Sequence, residues 1–247
     1  MKRFMVDLHI HTKLSPCASE EMTPKAIAEG ARRCGLDIIA VCDHNSSRNC
    51  AAVVEAAGMQ SVVALPGIEV ETQERIHVIG LFPDVERAIT VSREIRIGLP
   101  DVDEEYTTRI GEQLLMNAEG LSYGSEEKAL ATPSAFDLAG AVSLIKRNDG
   151  LAIAAHVERA SFSVYSRLGD VPRDIPFDAL EVSPVDRRPI GIREKFARYG
   201  WTLVASSDSH YLMELGRARS HFLLESPTFE EIGRALHGRE GRSVSLA

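Results

Sequence analysis

Residues 4–12 read FMVDLHIHT: an apolar run forms a strand over 4–8 and stops at two histidines, His9 and His11. Alternation along a strand puts residues i and i+2 on one face, so both imidazoles point to one place. The same arrangement recurs down the chain. DIIAVC at 37–42 reads as a second strand and runs into Asp43 and His44. SVVAL at 61–65 is followed by Glu69, and IHVIGL at 76–81 carries His77. LAIAA at 151–155 leads into His156, DALEV at 178–182 carries Glu181, and TLVAS at 202–206 precedes Asp208 and His210. A further strand is expected over 219–224.

Helical patterns lie between these runs. Thr23-Pro24 opens one as N-cap and first-turn proline, and it closes near Gly35. Others are expected around 47–57, 137–148, 189–199 and 228–237. Strands this apolar, separated by helices, point to parallel pairing buried on both faces. About seven such repeats predict a barrel-like α/β fold, with an open doubly wound sheet as the competitor. In a barrel the carboxyl ends of the strands converge on one mouth, where active sites are built. Six of the eight histidines, His9, His11, His44, His77, His156 and His210, fall at or near strand segments expected to converge there, where scatter would put more of them on helices and surface loops. The conjunction of HxH, DH, GIE, AAH and a final DSH therefore points to a multi-metal site.

The stretch from about 84 to 136 breaks the rhythm. It is charged, contains Pro100, and carries QLLMNAEGLSYG at 113–124, a hairpin pattern with its turn near Glu119-Gly120. It reads as an insertion over one end of a single domain spanning 1–247, either a surface excursion or a substrate lid.

Size and composition suit that reading. A chain of 247 residues, 44% hydrophobic, can bury one large core, and α/β barrels reach this length as one unit. The formal net charge of -8 argues against stable polynucleotide binding, which calls for a basic face. Small phosphate esters are less constrained, because bound cations reverse the local sign of a pocket. The four cysteines, Cys17, Cys34, Cys42 and Cys50, make no CxxC pair. No apolar run reaches transmembrane length and the first residues lack a signal-peptide pattern, so a cytoplasmic protein with free thiols and no membrane partner is expected. Nitrogen and carboxylate ligands without a cysteine cluster suit zinc, manganese or ferrous iron. The candidate ligands are too many for one ion, so two or three divalent ions some ~3.5–4 Å apart are expected.

The motifs DLHIHT at 7–12, CDHN at 42–45, GIE at 67–69, the His77 strand, AAH at 154–156 and SDSH at 207–210 together resemble the polymerase and histidinol phosphatase (PHP) superfamily. The resemblance covers nearly the whole chain, in the family's order. It implies a distorted seven-stranded α/β barrel and a metal-dependent phosphatase or phosphodiesterase, many members holding three ions. It further implies one ion on His9, His11, Glu69 and Asp208, a second on Glu69, His77 and His156, and a third on His44, His210 and a residue after the first motif. Relatives read HSxxSDG there, with the Asp as ligand, whereas this chain reads HTKLSPCASEEMTP at 11–24. Glu21 is the preferred replacement; Glu20 and Cys17 stay open, and Cys17 would make the site softer and more zinc-like. Cys42 stands where Thr is usual and reads as a small buried hydrophobe. Asp7 and Asp43 are expected behind the ligands, orienting imidazoles through their other ring nitrogen.

The chemistry so implied is in-line attack on phosphorus by a metal-activated hydroxide. Arg159 is a candidate to hold a phosphate oxygen, Arg187 and Arg188 read as surface charges, and His210 is a candidate acid. The favoured substrate is a small phosphate ester such as a nucleotide or sugar phosphate. The alternatives are an exonuclease acting on short oligonucleotides and a non-catalytic metal-binding module. Carbon–nitrogen hydrolysis is disfavoured, since no lysine ends a strand to serve as a carbamylated bridge.

Overall fold

The structure, a computed structural model, describes residues 1–183 and 192–247. Arg187, Arg188 and the start of the helix expected at 189–199 lie outside the described residues. In chain order the elements are β1 (Lys2–Ile10), α1 (Pro24–Arg33), β2 (Ile38–Val41), α2 (Cys50–Met59), β3 (Val63–Glu71), β4 (His77–Leu81), α3 (Val85–Ile97), α4 (Glu104–Ile110), β5 (Leu114–Met116) and β6 (Ser122–Ser125). They continue with α5 (Leu138–Arg147), β7 (Leu151–Ala154), α6 (Val164–Leu168), β8 (Ala179–Val182), α7 (Ile192–Arg198), β9 (Leu203–Ala205), β10 (Ser220–Leu224), α8 (Phe229–Leu236) and β11 (Ser243–Leu246). Thr23 caps α1 as expected, its side chain accepting a hydrogen bond from the Ala26 amide. Among the described residues no helix is long and apolar enough to cross a membrane.

Nine of the strands form one sheet in the order β11-β10-β1-β2-β3-β4-β7-β8-β9. The two end strands, β11 and β9, meet, so the sheet curls into a nearly closed barrel. The barrel expectation holds, with nine strands in place of seven. The expected parallel pairing holds only in part. β1-β2, β2-β3, β7-β8 and β8-β9 are parallel, but β4 runs antiparallel to both β3 and β7. The reason is the length of the connection. Thr72 and Ile76 close a short turn between β3 and β4, and a parallel return needs a crossover of a dozen or more residues. β11 was missed because SVSL is short, mostly exposed and carries little apolar signal.

β3 is longer than its apolar run suggested, because it passes through Pro66-Gly67 to Glu71 and so takes Glu69 inside the sheet. Gly67 makes this possible: a Cβ there would stand 2.8 Å from Cys42 Sγ and 2.9 Å from the Val41 and Gly80 carbonyl oxygens. The 84–136 segment is more than an excursion. Ala88, Val91 and Ile95 of α3 are fully buried in the core with Ile68, Val70 and Val78. The expected hairpin is present as β5-β6, with Gly120 at φ 82° in its turn.

At the chain's end Glu231 of α8 accepts from Arg242 Nε and Nη2, both at 3.0 Å, and from the Glu225 amide at 2.8 Å. The Arg242 guanidinium holds the Glu231 carboxyl down at about 2, against an ordinary 4.5. A depressed carboxylate stabilises the fold above its ordinary value and loses that contribution as pH falls toward the depressed one. Glu231→Gln is therefore expected to lower the melting temperature at pH 7, with the gap to the unsubstituted protein closing below about pH 4.5. Thermal melts from pH 7 to pH 3 check this; a gap of constant size would contradict it.

Candidate metal centre

Eight of the nine expected ligands, all but Glu21, come together at one mouth of the barrel. β1 delivers His9 and His11, both fully buried, and Glu69 of β3 is 1% exposed. His77 opens β4, and it reaches this mouth only because β4 is antiparallel, which pairs it with Glu71 at the far end of β3. His44, His156, Asp208 and His210 follow β2, β7 and β9. His156 (φ 29°) and Asp208 (φ 51°) are both in the left-handed region. Such a conformation costs a non-glycine residue about 1–3 kcal/mol and concentrates at functional sites.

Hydrogen bonds at the Nδ1 atoms decide which nitrogens face the centre. His9 Nδ1 lies 3.0 Å from Glu181 Oε2 and donates to it. His11 Nδ1 donates to Ser15 Oγ at 2.9 Å, since that hydroxyl gives its own proton to Asp43 Oδ1 at 2.7 Å. His210 Nδ1 donates to the Asp208 carbonyl at 3.0 Å. Each bond leaves Nε2 as the free nitrogen. The Nε2 atoms of His9 and His11 then stand 3.1 Å apart, with Asp208 Oδ1 3.4 and 3.1 Å away and a Glu69 oxygen 3.3 and 3.5 Å away. From the other side His77 Nδ1 comes to 2.8 Å of Glu69 Oε1, His44 Nδ1 to 2.9 Å of Oε2, and His156 Nε2 to 3.3 Å of Oε1.

These approaches lack hydrogen-bond alignment. Both Glu69 oxygens and His77 Nδ1 are buried without a hydrogen-bond partner among the described residues. A buried ionised carboxylate in that condition costs several kcal/mol, and a cation between oxygen and nitrogen would remove the cost. The electrostatics agree. Burial raises the Glu69 carboxyl, yet His77, His9 and His44 outweigh it and hold it well below the usual carboxylate range. Burial lowers His9, yet Glu181, Asp208 and Glu69 pull it well above the usual histidine value. The pocket calls for positive charge. Three groups have ligand atoms within 4.8 Å of one another: His9, His11 and Asp208; His44, Glu69 and His77; His11, His44 and His210. This donor set fits divalent ions of the zinc, manganese and iron kind.

The residues behind the ligands differ from expectation. Asp7 touches no imidazole: its carboxylate accepts the amides of Ser207 at 2.9 Å, Gly216 at 3.2 Å and His9 at 3.4 Å, and burial pushes it up to about 6. A buried strand-end carboxylate meets backbone donors from the loops packed on it, and here they take all its capacity. Asp43 reaches His11 only through Ser15. The carboxylate that orients His9 is Glu181, which the sequence reading placed on a strand without giving it a role. Its signal was an acidic residue in an otherwise apolar strand. Glu181→Gln is expected to weaken metal binding about 10–100-fold while the fold persists. Calorimetric titration of metal into the two proteins checks this, and equal affinities would contradict it.

Glu20 and Glu21 are exposed, and Glu21 joins none of the ligand groups. Cys17 is exposed as well and joins none of those groups; desolvation raises its thiol, but the His210 and His44 imidazoles outweigh that and bring it down to about 6. Arg159 binds Asp208 Oδ2 through Nη1, leaving Oδ1 to face His9 and His11. It also lines a cavity of about 170 Å³ with His44, His156, Ser161, Phe162 and His210. Phe162 stacks on His77, ring centroids 4.7 Å apart, and was not anticipated.

A family model for the PHP domain matches residues 7–166, and a PHP-associated model matches residues 193–241. No curated protein matches the chain. Among solved structures, the lesion-specific endonuclease PfuEndoQ from Pyrococcus furiosus superposes with a TM-score of 0.72 at 22% identity over 98% of this chain. The chain spans 58% of that endonuclease's length. A structure of Endonuclease Q with a 27-mer duplex substrate, an abasic lesion at its active site, matches to the same degree. A protein from Bifidobacterium adolescentis described as a metal-dependent phosphoesterase matches with a TM-score of 0.59 at 19% identity, over 83% of this chain and 87% of its own. The duplex-bound structure overturns the expectation that this chain's charge excludes polynucleotides. A net charge of -8 averages over the surface, whereas binding responds to the local field. Arg48, Arg93 and Arg96 share one surface cavity, where Glu126 pairs with Arg48 and Arg96.

Proposed function

Because the chain belongs to the PHP family, we propose that it is a metal-dependent phosphoric ester hydrolase working from a centre of two or three divalent ions, manganese, zinc or iron. The observation that carries this reading is the buried Glu69 carboxylate, whose oxygens lack hydrogen bonds while imidazoles surround them. Such ions, when bound, lower the pKa of water toward ~7 and neutralise charge on phosphate oxygens. Glu69 would bridge, with His9, His11 and Asp208 on one side and His77, His156 and His44 on the other. Glu181, Ser15 and the Asp208 carbonyl hold the imidazoles of His9, His11 and His210 in the required tautomers. With Nδ1 committed to that carbonyl, His210 suits a ligand better than a proton donor. Arg159 would hold a phosphate oxygen at the mouth.

The cavity of about 170 Å³ among the candidate ligands would admit the phosphoryl group of a substrate. A small phosphate ester such as a nucleotide or sugar phosphate meets that requirement. A nucleic-acid phosphodiester is the second reading, favoured by the likeness to Endonuclease Q with its bound duplex. The four free cysteines suit the reducing cytoplasm. A panel of phosphomonoesters, bis(p-nitrophenyl) phosphate and an abasic-site duplex, incubated with metal-loaded protein, separates the readings. Phosphate release from a monoester is the expected result. Cleavage of the duplex alone moves the assignment to the nuclease reading, and hydrolysis of none of them by fully loaded protein overturns both.

A further inference from the structure

We propose that Phe162 is the positioning residue of His77: its ring fixes the plane of that imidazole and keeps Nδ1 aimed at Glu69, as hydrogen bonds do for His9, His11 and His210. The proposal rests on the reading of the cluster as a metal centre and adds no ligand to it. The torsion that swings an imidazole about its Cβ–Cγ bond has broad minima, so a ligand histidine needs something to hold its plane. His9, His11 and His210 have it in the bonds from Nδ1 to Glu181, Ser15 and the Asp208 carbonyl. His77 uses Nδ1 itself, 2.8 Å from Glu69 Oε1, and among the described residues no group accepts a hydrogen bond from its Nε2.

What His77 has instead is an aromatic face. The Phe162 ring lies 4.7 Å away, centroid to centroid, with the two planes 24° apart, and a flat ring stacked so closely blocks the rotation. The loop after β7 delivers it. The His77 amide donates to the Phe162 carbonyl at 2.9 Å, and the Ala155 amide to the His77 carbonyl at 3.2 Å, so both ends of the loop clasp the same residue. Phe162 sits at φ 58°, a conformation that a bulky side chain adopts only where its surroundings hold it. The Arg75 guanidinium lies over the ring, 5.2 Å from its centroid, and is tied through Nε to Glu71 Oε1 at 2.8 Å. Glu71 is in turn the strand partner of His77. The brace therefore closes on itself, from His77 through Phe162, Arg75 and Glu71 back to His77. With an imidazole against it and a guanidinium over it, the ring serves the protein's own groups rather than a substrate ring.

Calorimetric titration of zinc into metal-free full-length protein tests this through a double-mutant cycle. Phe162→Leu, which keeps apolar bulk but has no flat face, is expected to weaken zinc at the site that includes His77 about 10–100-fold, and Phe162→Tyr to leave it near the unsubstituted value. In a His77→Ala background Phe162→Leu is expected to cause no further loss, because the ring then has no imidazole to hold. Arg75→Gln, at a half-exposed side chain where the fold is not at stake, is expected to give a smaller loss of about 2–5-fold. Unchanged affinity in Phe162→Leu, an equal loss in Phe162→Tyr, or a loss that persists in full without His77 overturns the proposal and leaves the metal centre in place. Should Phe162→Leu fail to fold, Arg75→Gln decides, and unchanged affinity there overturns the proposal. Absence of zinc binding by the unsubstituted protein overturns both.

Discussion

Glu69→Gln is expected to fold, to lose its ions and to lose activity by about 10³-fold or more, equivalent to about 4 kcal/mol of transition-state stabilisation. The side chain is 1% exposed and its two oxygens are the nearest carboxylate atoms to His44 and His77, with His9, His11 and His156 within 3.5 Å. An amide keeps the shape but removes the charge and one acceptor, so no oxygen pair remains to span two cations. The fold should survive, because the substitution also relieves the cost of a buried anion held without hydrogen bonds. Circular dichroism, elemental analysis and initial rates on one preparation check all three parts. Full metal content with full activity would sink the bridging assignment.

Arg159→Ala is expected to separate substrate handling from metal binding. Metal content should stay near that of the unsubstituted protein, while kcat/KM falls about 100-fold, or about 2.7 kcal/mol, mainly through KM. Arg159 is tied to Asp208 Oδ2 and weakly to Ser183 Oγ at 3.4 Å, and it lines the cavity beside the ligands. Asp208 keeps Oδ1 toward His9 and His11 without it. Arg159→Lys should recover only part of the loss, since an ammonium cannot hold a phosphate bidentately. A variant that loses ions in proportion to activity would instead make Arg159 a support for Asp208.

Most of the candidate ligands were legible in the sequence because strand alternation and strand ends fix directions before any tertiary detail is known. His9 and His11 needed only the period of two, and Asp208 and His156 only the apolar run that precedes each. What depended on the other nitrogen of each ring was not legible. Glu181 and Ser15 are set by contacts 172 and 4 residues from their imidazoles, and nothing in a spacing separates them from Asp7, which turned to backbone amides instead. His77 was found for an incomplete reason: parallel pairing would have sent the start of its strand to the wrong end of the barrel. Net charge misled because it is a sum.

Anomalous diffraction at the metal absorption edges, from crystals of protein purified without chelator, tests the central claim most directly. The account predicts anomalous peaks within coordination distance of both Glu69 oxygens, one among His9, His11 and Asp208 and another beside His77. Ordered water at Glu69 with no anomalous peak, in crystals soaked with zinc or manganese, would contradict it.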